Sequence, residues 1–155
     1  ATPSADEARQ VFAVRRMLEV EMTRAFVRQV SPAMLRSLRE HVAQERAAVD
    51  QQDVPGRTEL LGDFHVHMAE LMGNQVLADL LRDLISRCAL ITLMYQSNEA
   101  AADSSDEHAA IVKALAARDE ALAVQLMEQH LLNVEAGLAF DRKTPANDLS
   151  LALAR

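Results

Sequence analysis

The chain has 155 residues, half of them apolar, one cysteine and a formal net charge of −7 with histidine neutral. That length is one domain's worth, able to bury a core without a disulfide or metal staple, and the lone Cys88 excludes an intrachain disulfide and points to a reducing, cytoplasmic setting. The acidic balance excludes this segment as a DNA-binding surface, which needs Lys and Arg to neutralise phosphates; no uncharged apolar run reaches the ~20 residues of a membrane span, and Ala1-Thr2-Pro3-Ser4 is not a signal peptide.

Glycine and proline are scarce, four each, and Ala, Leu, Met, Glu, Gln and Arg, the good helix formers, dominate. The apolar period predicts six helices and an all-α fold. The first is expected over about Asp6–Gln29, with Val11, Leu18, Met22 and Ala25 on one face. Ser31-Pro32 reads as a cap and first-turn proline opening the second, which carries Leu35, Leu38, Val42 and Val49 and stops before Asp53-Val54-Pro55-Gly56. The third begins near Thr58, presents Leu61, Met68 and Met72, and is broken by Gly73-Asn74. The fourth runs unbroken from about Gln75 to Ser97, with Leu77, Leu81, Leu84, Cys88, Ile91 and Tyr95 in step. A polar stretch, Asn98–Ser105, follows, and Ser104-Ser105-Asp106-Glu107 reads as a capping box that starts the fifth helix, ending at Ala117. Arg118-Asp119 is the turn into the sixth, which reaches about Ala139; Asp141–Arg155 reads as a loosely attached tail in which Leu149–Ala154 could form a short helix.

Three of the five histidines fall on apolar stripes. His65 shares a face with Leu61, Met68 and Met72, His108 leads Ile111, Val112 and Leu115, and His130 lies between Leu126, Met127 and Val134. Burying three imidazoles without partners costs on the order of a few kcal/mol each, so they call for shared hydrogen bonds or a common divalent cation, which takes neutral imidazole nitrogen readily. His67, about 200° round the helix from His65, faces elsewhere, and His41 reads as solvated or at a helix boundary. Arg15 and Arg87 also sit on apolar faces. Each is either a structural ion pair, with Glu19 for Arg15, or a guanidinium clamp for a carboxylate ligand.

These pieces together resemble the FCD domain, the C-terminal effector-binding domain of GntR-type transcription regulators of the FadR branch. The resemblance rests on Val14-Arg15-Arg16-Met17-Leu18-Glu19, on Phe64-His65 followed by Ala69-Glu70 and Gly73-Asn74, and on Glu107-His108 followed by Ile111 and Ala114. Arg118-Asp119, Ala123, Met127 and His130-Leu131 complete it, over about Asp6–Leu138, with 43 residues from His65 to His108 and 22 from His108 to His130. It implies an antiparallel bundle of six to seven helices enclosing one ligand cavity, with residues 1–5 a linker remnant, 6–140 the effector-binding domain and 141–155 a tail. It further implies a divalent metal, zinc or nickel, held by His65, His108 and His130; a small carboxylate effector near Arg15 and Arg87; a homodimer; and DNA binding only through an N-terminal winged helix-turn-helix absent from this chain.

One departure from the family pattern matters. The family's metal-binding aspartate lies four residues before the first histidine, and here that position is Leu61, with Asp63 and Glu59 off the face. Either the site is empty, or the metal keeps its full charge and more open positions, so that an anionic effector compensates it. The second outcome accounts better for three inward imidazoles. A different reading is a metal-dependent hydrolase or lyase using the same three histidines and a metal-bound water; against it, the sequence places no carboxylate on the same face as a general base. A di-iron bundle is set aside, since no histidine has an acid three residues before it.

Overall fold

The computed structural model describes residues 2–138 and 146–147, and among these the only regular elements are seven helices. They are α1 (Ala5–Gln29), α2 (Pro32–Asp50), α3 (Val54–Leu71), α4 (Gln75–Arg87), α5 (Ala89–Tyr95), α6 (Asn98–Ala116) and α7 (Glu120–Leu138).

Three connections are built alike. After α2, α3 and α6 the chain passes through one left-handed residue, Gln52 (φ 55°), Gly73 (φ 75°) or Arg118 (φ 56°). The next residue, Asp53, Asn74 or Asp119, donates its N–H to the carbonyl five residues back, that of Ala48, Ala69 or Ala114, closing the helix end in a Schellman turn. The same Asp or Asn then turns its side chain forward and accepts the N–H of Gly56, Leu77 or Leu122, capping the next helix. Each turn thus ends one helix and starts another within two residues, which forces the two helices to run back along each other. Helix α3 consequently lies at the centre, packed on α1, α2, α4, α5 and α6, while α7 closes the bundle against α1 and α6. The main core joins Met22, Phe26, Leu38, Phe64, Met68, Ile111, Leu115, Met127 and Leu131, all essentially inaccessible to solvent. Gly62 lets α4 approach α3 closely: a Cβ there would lie 2.9 Å from Ile85 Cγ2.

Helix boundaries depart from the sequence expectation in three places. α3 starts at Val54 rather than near Thr58, because Asp53 caps it and Pro55 occupies the first turn, where its missing N–H costs nothing. The expected long fourth helix is two: at Cys88 (φ −105°, ψ 4°) the N–H bonds to Ile85 O and the helical ladder is interrupted before α5 begins. α6 starts at Asn98, capped by Ser97, so the stretch expected to be a polar connection is helical and Ser104-Ser105 is no cap. Both serines are buried in mid-helix. Most of the tail, including the possible helix Leu149–Ala154, lies outside the described residues; Ala146 and Asn147 are tied to the end of α5, their N–H groups donating to Met94 O at 2.8 and 3.0 Å.

Candidate metal centre

His65 on α3, His108 on α6 and His130 on α7 meet in the bundle interior, each at most 2% exposed. Their Nε2 atoms face one another: His108 Nε2 is 3.0 Å from His130 Nε2, which is 3.4 Å from His65 Nε2. One nitrogen from each ring can be chosen so that all three lie within 4.8 Å of one another. The rings are held by stacking, His65 on His130 at 5.3 Å and 9°, and Phe64 under His108 at 3.9 Å and 10°.

Behind each ring stands a glutamate. His65 Nδ1 bonds to Glu19 Oε1 of α1, His108 Nδ1 lies 2.7 Å from Glu45 Oε2 of α2, and His130 Nδ1 lies 2.7 Å from Glu107 Oε1 of α6. Glu19 also accepts from Arg15 Nε at 2.9 Å, and Glu45 from Ser105 Oγ at 3.0 Å. Sequence reasoning found Glu19 only as a partner for Arg15, read Glu107 only as a capping-box acid and part of the family-like Glu107-His108 pair, and missed Glu45 altogether. A signal for Glu45 existed: it stands at +7, +3 and −4 from Leu38, Val42 and Val49, an acid on the buried stripe of α2.

The electrostatics set the protonation pattern. Burial alone would raise Glu19, but His65 and Arg15 outweigh it and bring the carboxyl down to about 2. Glu107 is likewise held below the usual range, because hydrogen bonds from His130 and Asn133 overcome its burial. Two ionised carboxylates place the protons of His65 and His130 on Nδ1 and leave their Nε2 lone pairs pointing inward. Burial pushes Glu45 up to about 9 despite the Ser105 hydroxyl, so the carboxyl donates its proton to His108 Nδ1, and that ring carries its own hydrogen on Nε2, directed at His130 Nε2. Burial lowers His65 to about 4, against the pull of Glu19, and lowers His108 well below its ordinary value. His65 and His130 thus turn inner lone pairs toward the centre, and His108 Nε2 joins them when a divalent cation displaces one proton from the Glu45–His108 pair, which completes the donor set such an ion requires. The 3.0 and 3.4 Å separations bracket the ~3.3 Å edge expected between nitrogens about 2.0–2.1 Å from a tetrahedral ion. The three residues therefore fit a divalent metal.

Beside the cluster is a cavity of about 60 Å³ lined by Phe12, Arg15, Leu61, His65, Gln96 and His130, among others. Arg15, 6% exposed, presents its guanidinium over Phe12 at 5.4 Å while paired with Glu19. Leu61 is buried there among Val49 and Ala101. Arg87 is not brought to the site: its half-exposed side chain donates to Asp83 Oδ2 at 3.1 Å and lies 4.0 Å from Glu7 on the surface. The expectation that it stands near the ligand fails because α4 turns that face outward before the break at Cys88. His41 is neither solvated nor at a boundary; from mid-α2 its Nε2 donates to Leu60 O at 2.7 Å, and its ring stacks on His67, itself 2.6 Å from Ser37 Oγ.

No helix among the described residues is long and apolar enough to cross a membrane. No curated protein matches the chain. A solved structure, Streptococcus agalactiae GntR, superposes with a TM-score of 0.73 at 23% identity, over 84% of this chain and 59% of that one, so the chain spans little more than half of that protein. The profile of the FCD domain matches residues 10–133, which take in all of the histidine cluster and all of the lining of the cavity beside it but Val134. The chain belongs to the FCD domain family.

Proposed function

We propose that this chain is the effector-sensing domain of a GntR-type transcription regulator, with a divalent metal, zinc or nickel, at His65, His108 and His130 and a small carboxylate in the adjoining cavity. The observation that carries the reading is the inward convergence of three Nε2 atoms, each ring backed by a glutamate, beside a cavity that His65, His130 and Arg15 line. FCD membership and the fold shared with a GntR protein support it. A metal bound there supplies a localised positive charge for a carboxylate. Leu61, standing where the family carries an acid, leaves that charge to be balanced by the effector. Arg15 orients the anion while Glu19 holds the guanidinium in place.

Binding rather than turnover suits the site. Glu19, Glu45 and Glu107 are each engaged at the outer nitrogen of a histidine, away from the cavity side where a general base would act. Effector binding would shift the balance between two arrangements of the bundle and so change how an N-terminal DNA-binding domain outside this chain is held. Exposed Val76 and Leu80 on α4, and Val14 and Met17 on α1, support self-association as a homodimer, which light scattering checks.

The test is calorimetric titration of a short carboxylate, such as glycolate, into metal-loaded and chelated protein. Linkage requires metal and effector to strengthen each other's binding equally. The reading expects at least tenfold weaker binding after chelation; equal affinity in both states refutes the coupling, and turnover of esters or simple acids by the loaded protein would favour a hydrolase or lyase instead.

A further inference from the structure

The cavity has a second polar end that the histidines and Arg15 do not account for. Gln96, at the C-terminus of α5, is 5% exposed, and among the described residues its Oε1 is buried with no hydrogen-bond partner. An unpaired buried amide oxygen costs roughly 1–3 kcal/mol, and the local backbone cannot move to relieve it. The Gln96 N–H donates to Thr92 O at 3.0 Å, while its carbonyl accepts from Arg57 Nη2 at 3.1 Å and Asn147 Nδ2 at 2.7 Å. Arg57, itself 1% exposed, also donates to Asn98 Oδ1 at 2.7 Å, pinning the joint between α5 and α6. The main chain is thus fixed from three sides while the side chain lines the cavity that holds His65, His130 and Arg15.

We infer that Gln96 is a specificity-determining residue, accepting a hydrogen bond from a hydroxyl group on a short monocarboxylate whose acid end lies toward Arg15 and the histidines. This deepens the proposed function and rests on it. Size comes from the cavity: about 60 Å³, at 10–15 Å³ for each water-sized centre, holds roughly four to six non-hydrogen atoms. The charge comes from its surroundings. Among the described residues Arg15 is the one Lys or Arg side chain lining the cavity, and it already answers Glu19. The cavity shares Gln96, Ser104 and Val134 as walls with an outer cleft of about 450 Å³ that also presents Asp103, Asp106 and Glu107. A second carboxylate projecting that way would meet three acids. A hydroxyl meets an acceptor with nothing to accept from.

The test titrates metal-loaded protein with matched pairs, glycolate against acetate and 3-hydroxypropionate against propionate, together with malonate. The wild type is expected to bind the better hydroxy acid at least tenfold more tightly than its parent acid, and malonate more weakly than either. In Gln96→Met, whose folding is checked by its thermal transition, that ratio should collapse toward one while the parent acid's affinity is retained. Both acids of each pair binding equally to wild type, or an undiminished ratio in Gln96→Met, overturns the assignment of Gln96 and leaves the carboxylate reading standing. Saturation by none of these acids overturns both. The wild-type comparison needs no variant, so a Gln96→Met chain that fails to fold does not shield the proposal.

Discussion

Glu45 offers a perturbation whose sign and size follow from its surroundings. In the metal-free domain its carboxyl is pushed up to about 9 by burial, against a value near 4.5 when unfolded. Between those two values the unfolded chain has lost a proton that the folded chain retains, so stability falls as pH rises. From pH 7 to 8.5 that is 1.5 units at ~1.36 kcal/mol each, or about 2 kcal/mol. At roughly 2–4 °C per kcal/mol for a domain of this size, the transition temperature should drop by about 4–8 °C. Glu45→Gln keeps a carbonyl and an amide for Ser105 and His108 but cannot ionise, so its curve should be flat over the same interval. Urea or thermal unfolding of chelated protein at pH 7, 7.75 and 8.5 reads this directly. His65 and His108, both shifted downward, do not titrate in that window. Parallel pH profiles for the wild type and Glu45→Gln would refute the account of a neutral carboxyl buried behind His108.

On the acid side the sign reverses. His65 and His108 are depressed in the fold, so the unfolded chain takes up protons first and the metal-free domain should lose stability as pH falls from 6.5 toward 4, with the ionised Glu19 adding a further loss below about 4.5; His65→Gln should reduce that slope in the same unfolding assay. Leu61→Asp restores an acid beside the cluster. It should tighten zinc binding by at least tenfold in a competition titration, weaken glycolate by a similar factor, and destabilise the metal-free fold by about 3 kcal/mol through a buried, unpaired charge. Gly62→Ala puts a methyl 2.9 Å from Ile85 Cγ2 and should cost about 1–3 kcal/mol in thermal unfolding; a neutral effect would show that α4 yields at no cost.

The histidine cluster was legible because a buried residue on a helix announces itself by period. His65, His108 and His130 each stand in step with aliphatic neighbours, and the bundle brings those faces together. The same period carried Glu45, which went unread because an acid on an apolar stripe invites no expectation until its partner, 63 residues away, is known to be there. Arg87 shows the converse error. Its apolar neighbours on α4 and α5 belong to one stripe only if the helix runs straight, and the break at Cys88 separates them. That break left no mark in the sequence, since Leu84, Cys88, Ile91 and Tyr95 keep helical spacing across it. The start of α6 was misplaced for a related reason: Ser104 and Ser105 resemble caps, but Ser105 is spent inside the bundle on Glu45, and the true cap is Ser97. Gln96 had no sequence signature, because what marks it is the absence of a partner in three dimensions.

The central claim is that three imidazole nitrogens converge to hold one divalent ion. Elemental analysis and isothermal titration of the stripped domain with zinc and nickel, in the wild type and in His108→Ala and His130→Ala, test it most directly. The account predicts one ion per chain in the wild type and an affinity loss of at least a hundredfold in either variant. No saturable binding in a folded wild type, or the same stoichiometry and affinity in both variants, would contradict it.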